Sequence, residues 1–183
     1  MGALVATARR QTGVTLVEMV TVVAILAVAA SLAIPTTDPN ADLAAEAMAA
    51  EVARAMRFAQ REAIRTGTYQ QVSMDPATQM LRVYQPNQPK LPASITATHP
   101  VDKRLYEISF AGNAMRATIV SSVFKYDKKP SAIYASFASD GSPAEVDPKS
   151  SSFPLKEEGR ITIRYGNAER VIRVAPVTGR VTF

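Results

Sequence analysis

The sequence predicts an α+β protein in which a long N-terminal helix, membrane-spanning in its first half and amphipathic in its second, packs on a β-rich domain. Three observations carry this. Val14 to Ile34 is apolar with a single charge, Glu18; Ala41 to about Arg65 repeats apolar residues at helical spacing; from Gly67 on, short β-rich runs alternate with turn signals.

The first run is about 21 residues, or about 31 Å of helix, close to the thickness of a bilayer hydrocarbon core. A secretory signal has an apolar stretch of only about 7 to 15 residues before its cleavage site, so this run reads as a retained anchor. Arg9 and Arg10 precede it. The positive-inside tendency keeps them cytoplasmic and sends the rest of the chain outward. Residues 35 to 42, "PTTDPNAD", then loosen the helix. Asp38 is placed to cap its restart, with Pro39 at the first helical position.

In the second helix, at about 100° per residue, Met48, Val52, Met56, Ala59 and Ala63 share an arc of about 80°. Arg54, Arg57, Arg61 and Arg65 gather opposite them. One face therefore packs on a sheet. The other is a solvated basic face or a surface for an acidic neighbour or phosphates.

Strands are expected at Tyr69 to Met74 and Met80 to Tyr84 around the turn "DPAT", then near Tyr106 to Phe110, Thr118 to Phe124 and Ile133 to Phe137. Residues 85 to 100 hold four prolines and read as one long loop, in which His99 is a loop residue. Residues 139 to 148 carry Asp140, Glu145 and Asp147. Their spacing fits a plain turn better than a calcium loop.

The C-terminal stretch fixes a register. Gly166-Asn167 and "PVTG", residues 176 to 179, are the two turns. Around them Ile161 opposes Ile172, Val174 opposes Val181, and Arg164 opposes Glu169. Ile161, Ile163, Ile172, Val174, Val181 and Phe183 then share one face. Arg160, Arg164, Arg173 and Arg180 share the other, with only Glu169 among them, and Arg170 is a misfit on the apolar side.

Composition narrows the function. The chain of 183 residues has no cysteine, one histidine and a mild net charge of +5. A disulfide framework and thiolate metal sites are excluded, and an oxidising compartment poses no hazard. No Gly-rich phosphate loop or catalytic constellation stands out, so neither an enzyme nor a bound cofactor or metal is expected.

The residues that resemble a known family are those around the anchor: bases, Gly13, Val14, Thr-Leu-Val, then Glu18 at the fifth position after the glycine. They resemble the class III signal of type IV prepilins. The resemblance implies that a prepilin peptidase cuts after Gly13 and methylates the amine of Val14, and that Glu18 pairs with that amine on a neighbour. The family usually has Phe or Met where Val14 stands; Pro35 matches a helix-weakening proline. The implied parts are a leader, 1–13, a transmembrane and filament-core helix, 14–35, and an extracytoplasmic domain, 36–183.

"ARAMRFAQREAIRTGTYQQVSM", "SFASDGS" and the terminal "ERVIRVAPVTGRVTF" are in turn similar to the GspH/FimT group of minor pilins and pseudopilins. That implies a pilin-like domain of two sheets and a subunit of a filament, in type II secretion or type IV pilus biogenesis, held in the bacterial inner membrane with its domain in the periplasm. Its partners would be the peptidase and other pilins. DNA-binding FimT members carry Gly-Arg-any-Arg near the end; here Gly179-Arg180-Val181 is followed by Thr182. DNA capture by Arg160, Arg164, Arg173 and Arg180 is the alternative function.

Overall fold

A computed structural model describes residues 15–33, 40–86, 95–111, 117–146 and 151–183. The expectations for Arg9, Arg10, Gly13, Val14, Ile34, Pro35, Asp38, Pro39 and Asp147 lie outside them. The chain divides into two compact units, residues 1–37 and 38–183.

In the first unit, α1 covers Leu16–Ala33, 18 residues with Glu18 as their one charge. Its described side chains are all exposed. The expected membrane span is not reached within the described residues: among them no helix is long and apolar enough to cross a membrane. Helix α1 rises about 27 Å, and both ends of the apolar run fall outside the described residues.

In the second unit, α2 runs Ala41–Thr66 and ends at Gly67, whose N–H caps the Ala63 carbonyl at 2.9 Å. The predicted stripe of Met48, Val52, Met56, Ala59 and Ala63 is buried. The buried face is wider than that stripe, because Ala45, Ala49, Ala53 and Ala55 let the helix approach the sheets closely.

Strands β1 (Gln70–Asp75) and β2 (Met80–Gln85) form the expected hairpin, closing at Asp75 opposite Met80. Two edge strands share β2: β3 (Ile95–Thr96) and β4 (Glu107–Ser109). The end of the expected loop is thus a strand, with Tyr84 opposite Thr96. Next come β5 (Ala117–Tyr126), β6 (Lys129–Ala132) and β7 (Tyr134–Phe137). A small hairpin, β8 (Ala144–Val146) and β9 (Ser152–Pro154), follows; then β10 (Gly159–Tyr165), β11 (Ala168–Val174) and β12 (Val181–Thr182).

The first sheet runs β3-β2-β1-β7 with β4 also on β2, and the second runs β12-β11-β10-β5-β6. Helix α2 packs against strands of both. The chain changes sheets between β6 and β7. There the Ile133 carbonyl accepts the Met74 N–H of β1 at 2.9 Å and the Ser122 hydroxyl of β5 at 3.1 Å.

The C-terminal register is as expected: Ile161 opposes Ile172, Val174 opposes Val181, and Arg164 opposes Glu169. Ile161, Ile163, Ile172, Val174 and Val181 are buried against α2 and the rest of the core. Phe183 departs from that set and is 47% exposed, because it lies beyond the last ladder pair, Arg173 with Thr182.

Candidate functional site

Gly13 and Val14, the expected processing pair, lie outside the described residues. What is described is the helix start just after them. The Thr15 carbonyl accepts the Glu18 and Met19 N–H groups at 3.0 and 3.2 Å, and the Thr15 hydroxyl accepts the Glu18 N–H at 3.3 Å. Thr15 is thus the N-cap of α1, with Glu18 at the third helical position. "TLVE" has the Thr-x-x-Glu spacing of a capping box, a signal the sequence reading passed over. A cap contributes about 1 kcal/mol, whereas a lone charge deep in a bilayer costs at least about 2.5 kcal/mol. The cap alone does not account for the carboxylate of Glu18.

The second candidate set, Arg160, Arg164, Arg173 and Arg180, is exposed on the outer face of the second sheet, as predicted. Its electrostatics are not as predicted. Arg160 and Arg173 are direct cross-strand partners, a repulsive arrangement, and Glu158 lies beside both, at 3.8 and 3.3 Å. Glu169 accepts the Arg164 Nε–H at 2.7 Å. The face therefore holds two glutamates where one was expected. Exposed pairs of this kind contribute about 0–1 kcal/mol to stability, so their consequence lies mainly in the local field, which they reduce. Among the described residues Arg180 has no carboxylate within ion-pair distance.

Arg170, the misfit, finds its partner across the fold. Its Nη2 donates to Asp42 in the first turn of α2 at 3.0 Å. That pair tethers the β10–β11 hairpin to the start of α2, and no local pattern announces it.

On α2, Arg54 pairs with Glu51 at 3.1 Å and Arg65 with Glu62. The Arg65 hydrogen bond holds the Glu62 carboxyl below its ordinary range. Arg57 instead donates from Nη2 to the Val181 carbonyl of β12 at 3.2 Å. Phe58 packs beside Tyr106 with ring centroids 5.1 Å apart.

Gln60 joins the two turns quoted from the sequence. Its Nε2 donates to the Gly141 carbonyl at 2.8 Å and the Thr178 carbonyl at 3.0 Å. Gly179 sits against this clasp at φ +65°, where a Cβ would lie 2.7 Å from Gln60 Nε2 and 3.1 Å from the Gly141 oxygen. The glycine of the terminal Gly-Arg pair is thus required by backbone conformation and by close approach together.

Of residues 139 to 148, expected as a turn, 139 to 142 form one, in which Asp140 accepts the Ser142 N–H at 2.9 Å and its hydroxyl at 2.6 Å, while Ala144–Val146 are strand β8. Glu145 is buried in β8 and accepts from Lys129 and the Tyr134 hydroxyl. Burial, then the Glu145 hydrogen bond, push the Tyr134 hydroxyl up to about 12. Partial burial opposes the charge on Lys129, but its bonds to Glu145 and Tyr134 outweigh this and raise it above its ordinary value. Both carboxylates are engaged by protein groups.

Comparison with known proteins bears on the N-terminal segment. Residues 8–34 match the prokaryotic N-terminal methylation motif. Among curated proteins, none matches the chain. Among solved structures, the chain is similar to the type IV minor pilin FimU of Pseudomonas aeruginosa, strain PAO1. The TM-score is 0.44 at 14% identity, covering 76% of this chain and 87% of that one.

Proposed function

We propose that this chain, which carries the type IV pilin methylation signal at residues 8–34, is a minor pilin or pseudopilin, a structural subunit of a pilus-like filament. The observation that carries the reading is that signal, together with Glu18 as the one charge of α1. Hydrolysis of the Gly13–Val14 bond by a prepilin peptidase consumes one water. It leaves a carboxylate on the 1–13 leader and an amine on Val14, which then takes a methyl group from a sulfonium methyl donor, releasing the neutral thioether and a proton. The apolar run to Pro35 anchors the chain in the inner membrane, N-terminus inside, with residues 36–183 in the periplasm. An unpaired carboxylate among apolar helices is costly, and the Val14 amine of a neighbour relieves it, so assembly is favoured in one register. The role is structural and needs no catalytic residue, cofactor or metal of this chain. It serves type II secretion or type IV pilus biogenesis.

Mass spectrometry of the mature chain should find methylated Val14 at its start, and Gly13→Val should leave a full-length precursor. An N-terminus at Met1 in cells with active peptidase would refute the reading. Glu18→Ala should still be cut but be depleted from sheared filaments. The DNA-uptake alternative loses support from the glutamates beside Arg160, Arg164 and Arg173. It would be restored if replacing Arg160, Arg173 and Arg180 with Gln abolished transformation while filaments and secretion persisted.

A further inference from the structure

The arginines of the domain divide by what neutralises them. Arg54 and Arg65 have glutamates on α2, Arg82 pairs with Glu107 of β4, and Arg160, Arg164, Arg170 and Arg173 have the carboxylates described above. Among the described residues, Arg57, Arg61 and Arg180 have no carboxylate within ion-pair distance, and neither has Arg104, in the turn between β3 and β4. The first of these are gathered in one place. Arg57 and Arg180 line a groove of about 510 Å³ between α2 and β12, together with Gln60, Thr182 and Phe183. Arg61 follows one turn along the same exposed face of α2, its Nε donating to the Arg57 carbonyl at 3.3 Å.

Among the other described arginines of this domain, all but Arg104 have a carboxylate within ion-pair distance. Here Arg57 and Arg180 line one groove with no Asp or Glu within ion-pair distance among the described residues, next to the half-exposed ring of Phe183. Arg57 is also held in place, since its bond to the Val181 carbonyl uses only one of its donors. The planar fork of a guanidinium matches a carboxylate, and an aromatic side chain beside it adds apolar contact.

We infer that the α2/β12 groove docks a carboxylate-bearing segment of a neighbouring subunit in the filament, an inference that rests on the filament reading above. A polyanion backbone fits less well. It needs a cationic track past successive phosphates, and on one side the sheet arginines that would extend the track are engaged by Glu158 and Glu169. At the Gln60 end lies the turn that carries Asp140, one residue before the Gly141 carbonyl that Gln60 holds. A short acidic segment requires no such track.

The test places a photo-crosslinking residue at Thr182 in the full-length chain, in the source cells, and identifies the adduct by mass spectrometry. The expected adduct is a peptide of another subunit of the same filament, with Asp or Glu at or beside the linked position. Arg61→Glu with Arg180→Glu should lower its yield about tenfold, while Arg160→Glu with Arg173→Glu should leave it within about twofold. Arg57 is left intact because it also holds β12. A linked nucleic acid or lipid, a peptide without acidic residues, no adduct in filaments that contain the chain, or a yield indifferent to the Arg61 and Arg180 pair would each overturn the inference. Absence of the wild-type chain from sheared filaments would instead overturn the filament reading, and this one with it.

Discussion

Helix α1 is apolar on every side and leaves its described side chains exposed, Val17 at 72% and Leu26 at 60%; α2 confines its apolar residues to one face and buries Val52, Met56 and Ala59 completely. The two helices have nearly opposite solutions to one problem. For α2 the covering surface is encoded later in the same chain, in the inner faces of two sheets. For α1 the described side chains are exposed, and a continuous apolar surface of that kind marks a face for lipid or for another apolar surface.

The contrast is sharpest in the cost of removing one apolar side chain. Met56→Ala should destabilise the α2 domain by about 2–5 kcal/mol, because Met56 is fully buried and the cavity collapses only partly. Leu26→Ala in α1 should leave the unfolding midpoint of that domain in place. Denaturant titration of the full chain in mild detergent, followed by tyrosine fluorescence, compares the two directly. Equal shifts would mean that α1 draws its stability from the domain.

A smaller effect should appear at the alkaline limit. The Tyr134 hydroxyl is raised from its ordinary 10 to about 12, by burial first and then by Glu145, so the folded state favours the protonated form. The sign follows: this stabilisation is complete below about pH 10 and is lost as pH rises through about 12. Tyr134→Phe should flatten the fall in unfolding midpoint over that window, and an unchanged slope would place the alkaline loss in other groups, such as Tyr106.

The smallest effect belongs to the cap of α1. Thr15→Ala should cost that helix about 1 kcal/mol. Amide hydrogen exchange in detergent should speed up over Glu18 and Met19, while protection in α2 stays as it was.

The helical stripe and the C-terminal ladders were legible because they depend on neighbours in sequence. Period fixed the face of α2, and two turns fixed which residues oppose one another in β10, β11 and β12. Elements lacking such a signal were missed. Strand β3 follows a Pro-rich stretch, β6 and β8 are too short for alternation to show, and β6 contains a proline. The charge state of the arginine face was misread for a related reason. Glu158 precedes β10, outside the two-hairpin register, so no pairing rule brings it to Arg160 and Arg173. Arg170 looked misplaced because its partner, Asp42, is 128 residues away. At the N-terminus the methylation motif over residues 8–34 was legible in the sequence, and the Thr15 cap was overlooked.

The shared carbonyl of Ile133 bears on how this domain comes apart. One oxygen holds β1 of the first sheet and β5 of the second, in the short crossing between β6 and β7. Loss of either sheet would strip a partner from that oxygen and expose the inner face of the other, so partial unfolding gains little chain entropy before it forfeits both layers. A domain strained from outside would therefore yield all at once or hold.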